Sequence, residues 1–366
     1  MKKAILFIAM LVVATTAVRG QISYGAPNDW FVTVWDMSKP TNRTTNNPAS
    51  TIAVPTRGTN YTLYWEDVDQ TTTNGILNIS TPWSPYYLPV PSGTTKVRIK
   101  IYKGVGAITG FLNPWNTDSK RLIAVEQWGT NVWTNLEQAF KDYSNMDVTA
   151  TDIPNLSACQ KVSNMFENCT SLVNGNGSIS GWQTANVTNM QSMFGGAQAF
   201  NQPLSNWNTA NVTNMSQMFY KATAFNQPLN WNTGNVTDMS SMFQNATSFN
   251  QPLGSLKIDN VTYMMSDMLS GCGMSCQNLS TTLDGWKTQA ATLNKNNIYL
   301  GDISTVPNAY NETGQAAINT LKNNHNWTIT GGQLAPGCIL PAYYVSEWDL
   351  SKPVWPARSD AATTLV

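Results

Sequence analysis

The chain has 366 residues, of which only 11% are charged, and its 21 Lys and Arg balance 21 Asp and Glu. That length has room for two or three domains, and the neutral balance excludes the electrostatic footprint with which a chain binds nucleic acid or an anionic membrane. His325 is the only histidine, so a Ser/His/Asp triad or a His-rich metal site has almost nothing to build on.

The N-terminus reads as a secretory signal over residues 1–20. Lys2 and Lys3 precede an apolar run from Ala4 to Ala14, followed by small residues up to Gly20. The run is short for a membrane span. The expectation is an exported mature chain beginning near Gln21, with no membrane insertion after signal removal.

Residues 21–105 carry short runs of β-branched and aromatic residues: FVTVW (31–35), STIAVP (50–55), YTLYWE (61–66) and KVRIKIY (96–102). Clusters of Pro, Gly, Asn and Ser separate them, which predicts a small all-β, sandwich-like domain. ITGFL (108–112) and RLIAVEQW (121–128) read as further strands leading into the next region. Asp67, Asp69, Thr71 and Asn74 have a loose calcium-loop spacing, but the glycine and terminal glutamate of such a loop are misplaced or missing. A hydrated hairpin loop is the better reading.

Residues 106–332 are organised by repetition. WQTANVTNMQSMFGGAQAFNQPL, WNTANVTNMSQMFYKATAFNQPL and WNTGNVTDMSSMFQNATSFNQPL start at Trp182, Trp207 and Trp231. Degenerate copies end at Phe140, Phe166 and Leu269, so the anchor positions are Phe140, Phe166, Phe194, Phe219, Phe243 and Leu269. A fixed period of this size is the mark of stacked units. Within one unit, Met215, Met218, Phe219 and Ala222 lie at i, i+3, i+4 and i+7, which predicts one face of a short helix with Thr213 and Asn214 as its N-cap. The WNT segment suits a short strand, and Pro228 marks a turn or edge. The expected fold class is therefore α+β: a leucine-rich-repeat-like solenoid of about six turns of 24–28 residues, preceded by the β-sandwich-like domain. Residues 281–289 and 314–327 predict a helix-containing cap in which Ala317, Leu321 and Trp327 cover the last turn.

Residues 333–366 read as a linker and the start of a second copy of the β domain. YVSEWDLSKP (344–353) matches FVTVWDMSKP (31–40), and Ala362 to Leu365 fall opposite Ala49 to Ile52. The expectation is a piece of a tandem array.

The repeat unit NVTNM…MF…A…FNQPL…WNT, the degenerate WGTNVW at 128–133 and the closing W…TITGG at 327–332 resemble the BspA-like leucine-rich-repeat surface proteins of bacteria. The resemblance spans about Trp128 to Gly332. It implies a secreted or cell-surface, outer membrane-associated scaffold used in adhesion and partner binding.

Candidate chemistry is sparse. Glu137, Glu167, Asp238, Asp259 and Asp267 are scattered rather than paired. No catalytic residue, cofactor site or metal site is assigned. The Trp182, Trp207 and Trp231 column reads as a buried spine in preference to a sugar-stacking row. Met190, Met193, Met215, Met218, Met239 and Met242 read as core. Cys169 and Cys272 occupy the slot that holds Ala197, Ala222 and Ala246 in the regular copies, as small buried groups; a local Cys272–Cys276 bridge is the alternative. The Asn-x-Thr triplets at Asn186, Asn211 and Asn235 read as turn chemistry and not as glycosylation sites.

The function expected is a non-enzymatic adhesion or protein-binding scaffold, with Gln191, Gln217, Lys221, Gln244 and Asn245 as contact residues because they fall between core positions. The alternative is a carbohydrate-binding accessory of polysaccharide breakdown, with Trp83 and Tyr86 (beside Tyr87) as its exposed aromatic contacts. The partner is thus a protein or glycan ligand.

Overall fold

The computed structural model describes residues 27–41, 50–80, 85–104, 106–112, 118–262, 265–305, 309–335 and 338. The expected signal segment, Trp83 and the second copy of the β domain lie outside the described residues. The chain divides into two compact units, residues 1–187 and 188–366.

In the first unit the alternating runs form strands where their patterns predict them, and four more strands join them. β1 is Phe31–Asp36, β2 Thr51–Val54, β3 Thr56–Thr59, β4 Tyr61–Asp67 and β5 Asn74–Ile79. They are followed by β6 (Tyr86–Pro89), β7 (Lys96–Tyr102), β8 (Ala107–Phe111), β9 (Leu122–Gln127) and β10 (Asp147–Val148). One six-stranded sheet has the order β10-β9-β1-β7-β4-β5, while β2 pairs with β6 and β3 with β8 as two-stranded pieces. β1 is central, and its first five residues are all buried. β7 alternates, with Val97, Ile99 and Ile101 at 0% exposure on the core side and Arg98 and Lys100 on the wet side, as an antiparallel sheet with one solvated face requires.

The core of this sheet runs straight into the first repeats. Phe31 packs on Phe111, Trp128 and Trp133 with ring centroids 5.3, 5.8 and 5.0 Å apart. Phe111 continues to Phe140, Phe140 to Phe166, and Phe166 to Trp182. The loop between β4 and β5 is a hairpin turn. Asp67 Oδ1 accepts the Asp69 and Gln70 N–H groups at 2.9 and 3.1 Å, an Asx turn in which the carboxylate serves its own loop.

The leucine-rich-repeat-like solenoid is not what the structure shows. Two α-helices occur among the described residues, α1 (Cys276–Leu293) and α2 (Glu312–His325), and both follow the last repeat. Small sheets and turns make up the rest. The helix expected over Met215–Ala222 is replaced by a run of tight turns: Met218, Tyr220 and Ala222 donate to the carbonyls of Met215, Gln217 and Phe219 at 3.2, 3.0 and 3.0 Å. In between, Met215, Gln217, Phe219 and Lys221 donate to Asp238, Ser240, Met242 and Gln244 of the next repeat at 2.8–2.9 Å. Asn214 does bond a backbone N–H, that of Ser216 at 2.9 Å, but as an Asx turn and not as a helix cap. The WNT strand is likewise absent; the repeats of this unit touch as ladders through isolated bridges such as Asn189↔Asn214↔Asp238.

The physical reason is a backbone feature that recurs in every unit. Two residues before each anchor stand Gln138, Asn164, Ser192, Gln217, Ser241 and Asp267, with φ between 51° and 57°. Two residues after it stand Asp142, Asn168, Gly196, Lys221, Asn245 and Gly271, with φ between 56° and 71°. A left-handed residue every fourth position cannot belong to a right-handed helix. It turns the chain so that alternate N–H groups point at the neighbouring repeat. The apolar spacing i, i+3, i+4, i+7 is kept, and all six anchors have 0% exposure.

Side chains reinforce the ladder in the second unit. Phe194, Phe219 and Phe243 stack at 5.9 and 5.6 Å, and Phe200, Phe225 and Phe249 at 6.2 and 6.1 Å. Trp207 and Trp231 stack at 6.4 Å, 7° from parallel, so these tryptophans are spine. Asn226 N donates to Asn201 Oδ1, Asn250 N to Asn226 Oδ1, and Ser275 N to Asn250 Oδ1 at 2.9, 2.8 and 2.7 Å. Thr213 and Thr237 hydroxyls bond the carbonyls of Thr188 and Thr213.

Beyond Leu269 come α1, then β11 (Tyr299–Asp302), β12 (Ala309–Tyr310), α2, β13 (Thr328–Thr330) and β14 (Gln333–Leu334). β11 pairs with β13 and β12 with β14, both parallel. Ala317, Leu321 and Trp327 are buried as expected. Gly285 sits mid-helix in α1 because a Cβ there would lie 2.6 Å from the Gly254 Cα; close backbone approach outweighs the helix propensity lost. Cys272 is a free, buried thiol, and the local bridge is replaced by Cys276–Cys338, whose Cα atoms are 6.2 Å apart.

Candidate functional site

The five repeat residues singled out in the sequence are brought together on adjacent rungs of the second unit. Gln217 is exposed; its N–H is committed to Ser240 O, and its Oε1 accepts the Ser192 hydroxyl at 3.2 Å. Gln191, one residue before Ser192, is half-buried and donates its N–H to Asn189 Oδ1 at 2.9 Å. Lys221 is exposed, donates its N–H to Gln244 O at 2.9 Å and holds its Nζ 5.0 Å from the Tyr220 ring centroid, a cation–π contact. Gln244 is half-buried, and exposed Asn245 donates to Ser270 O at 2.8 Å.

The arrangement fixes the backbone. The N–H groups of Gln217, Lys221 and Asn245 are used within the ladder, so the rungs are held rigidly while their ends point to solvent. Directly after the anchors the residues differ from copy to copy: buried Gly195 and Gly196, then half-buried Tyr220 and exposed Lys221, then half-buried Gln244 and exposed Asn245. Tyr220 was missed by sequence reasoning. The signal was there, since it is the one aromatic in a position held elsewhere by small or polar residues.

The aromatic candidates of the first unit are less coherent. Tyr86 opens β6, half-buried, opposite Val54 of β2. Burial pushes its hydroxyl pKa up, and burial followed by the neighbouring Tyr86 pushes that of Tyr61 to about 12. Tyr87 is 40% exposed.

The groups with intrinsic chemistry are tied into structure. Cys169 donates to Phe140 O at 3.0 Å, and burial raises its thiol pKa well above the usual value, as it raises that of Cys272 to about 11; a thiol so placed is a poor nucleophile. Glu137 accepts the Ser163 hydroxyl, Glu167 pairs with Lys141 at 2.7 Å, Asp238 caps Ser240, and Asp267 accepts Asp302 N. His325 Nδ1 lies 3.1 Å from Asn296 Oδ1. On the wet face of the large sheet Arg98 bonds Glu126 at 2.6 Å and Glu66 at 3.1 Å, and Lys100 meets Glu66 at 3.0 Å. Burial raises the Glu66 pKa, but the hydrogen bonds and charges of Lys100 and Arg98 outweigh it and leave it low. Asn186 and Asn235 donate their side-chain amides to Ser157 O and Ala210 O of the preceding repeat at 3.0 and 2.7 Å, so these bonds join neighbouring repeats in place of the turn chemistry expected within one loop. Among the described residues no group of three or more His, Cys, Asp or Glu converges on one point, and no helix is long and apolar enough to cross a membrane.

No curated protein and no solved structure matches the chain. A family model described as "Mycoplasma protein of unknown function, DUF285" matches residues 134–230 and 212–303. Over these two overlapping stretches, which hold the repeats, the chain is similar to a Mycoplasma-type repeat family found in surface proteins.

Proposed function

We propose that the chain is a non-enzymatic scaffold, secreted or displayed at the cell surface, whose repeats in the second unit grip a protein partner through Gln191, Gln217, Tyr220, Lys221, Gln244 and Asn245. One observation carries this reading: the ladder and buried anchors are the same in each copy, while the two residues after the anchor change from buried Gly195–Gly196 to Tyr220–Lys221 to Gln244–Asn245, of which Lys221 and Asn245 are exposed and Tyr220 and Gln244 half-buried. An invariant frame with variable ends suits recognition. Tyr220 supplies the amphipathic aromatic anchor that protein interfaces favour. The finer resemblance, to BspA-like surface proteins used in adhesion, points the same way, as does the similarity to a surface-repeat family. Binding to immobilised extracellular-matrix proteins, measured for the parent and for Tyr220→Ala/Lys221→Ala, tests it: the parent binds and the variant loses at least tenfold in affinity. Equal binding by both removes the assigned face.

A second reading, a glycan-binding accessory, draws on exposed Tyr87 beside Tyr86. It predicts binding to polysaccharides that is lost on Tyr87→Ala and kept on Lys221→Ala.

A further inference from the structure

The Cys276–Cys338 bridge closes a loop with a sequence separation of 62. Its position relative to everything around it is what matters. On one side, the residues just before Cys276 are tied to the repeats: Gly273 N donates to Ala246 O at 3.2 Å and Ser275 N to Asn250 Oδ1 at 2.7 Å. Inside the loop lie α1, β11, β12, α2, β13 and β14, every helix and strand that follows the last repeat among the described residues. It seats on residues 253–258, where Leu253 N donates to Thr282 Oγ1 at 2.9 Å and Gln289 Nε2 reaches Gly254 O and Leu256 O at 2.8 and 3.0 Å. Its C-terminal margin ends in short strands, β13 and β14 having three and two residues.

A pull on the chain beyond Cys338 would therefore meet the least-held strands first. Without the bridge, β14, β13 and α2 would peel off in turn, and α1 would follow, uncovering buried Leu253, Leu256 and Ile258. With it, tension passes from one sulfur to the other and enters the ladder at Ser275.

We propose that Cys276–Cys338 is a mechanical bypass, which leads tension around residues 277–337 and keeps the end of the repeats covered while the chain is pulled. The proposal does not depend on which partner the repeats bind.

The test stretches the full chain between handles at its two termini, first in oxidising buffer and then after in-place reduction with a dithiol. Reduction acts on already folded molecules, and Cys338→Ser provides the second arm. At 3.3–3.6 Å per residue the freed loop adds roughly 200–220 Å of extension. The added length is expected as the earliest step, at a force below that which opens the repeats. Equal total extension in both buffers would show that no bridge carries the tension. An added step at or above the force of the repeats would show that residues 277–337 need no protection. Either result overturns the proposal.

Discussion

Replacing exposed Gln217 by glycine and, separately, by alanine separates the observed turn from the helix that its spacing suggests. In a helix interior alanine is more stable than glycine by about 1 kcal/mol. At φ 57° the order reverses: a left-handed residue bearing a Cβ costs about 1–2 kcal/mol, a cost that glycine does not meet. Both variants lose the Ser192 hydroxyl contact and neither touches the core, so their difference isolates the backbone. The glycine variant is therefore expected to exceed the alanine variant by about 1 kcal/mol, a swing of about 2 kcal/mol from the helical expectation. Thermal unfolding reads this as a Tm higher by roughly 2–4 °C for a unit of this size. Ser241, at φ 53° in the next copy, should repeat the result. An alanine variant more stable than the glycine variant at both positions would refute the left-handed turn and restore the helix.

Other substitutions probe the ladder from different sides. Phe219→Ala empties a site at 0% exposure between Phe194 and Phe243 and should cost about 3–5 kcal/mol in urea unfolding; a loss under 1 kcal/mol would mean the ring column is not core. Asn226→Ala removes the acceptor for Asn250 N and Gln251 Nε2, at 2.8 and 3.0 Å, and should cost about 1–2 kcal/mol, with faster hydrogen exchange at Asn250 as the local readout. Breaking the Cys276–Cys338 link should cost roughly 4 kcal/mol by loop entropy for a separation of 62; calorimetry with and without a dithiol measures it. Acid should destabilise the chain through Glu66 and Asp302. For both, burial raises the carboxyl, while the partners of Glu66 and the Ser304 and Ser270 bonds of Asp302 leave the folded pKa below the usual 4.5 and 3.8. A depressed folded value means that the stabilisation is present above those values and is lost as pH falls below them. Tm should thus hold from pH 7 to 5 and drop below about 4, less so in Glu66→Gln; a Tm unchanged down to pH 3 would contradict the assignment.

Much of this structure is legible in the chain, and what is not has an identifiable cause. The period of the repeats, their anchors and the burial of the tryptophans follow from residue type and spacing, because burying Phe219 or Trp207 gains the same free energy whatever backbone delivers it. The backbone itself is not legible. Met215, Met218, Phe219 and Ala222 have the spacing of a helical face, but a run of turns with a left-handed residue every fourth position keeps that spacing too. Gln217, Ser241 and Lys221 carry no composition signal for positive φ; Gly196, Gly271 and the Asn and Asp residues of the same columns do, and only comparison across the six copies joins them. Cys276 and Cys338 are far apart in sequence, and their approach depends on two helices folding back between them. Six strands of the first unit are legible from their alternation; β3 and β6, four residues long with a Gly or Pro, β5, which opens on Asn-Gly, and the two-residue β10 are not. At the proposed face, spacing between core positions picks out Gln191, Gln217, Lys221, Gln244 and Asn245, which the structure leaves half-buried or exposed, and passes over Tyr220, whose ring lies against the Lys221 ammonium.

A binding measurement on one array of extracellular-matrix proteins and polysaccharides, with the parent and the Tyr220→Ala/Lys221→Ala variant side by side, bears most directly on the reading of these repeats as a partner-gripping face. The account predicts protein hits that the variant loses at least tenfold while its unfolding temperature stays within a few degrees of the parent. Protein hits of equal strength for both, or hits on polysaccharides alone, would contradict it.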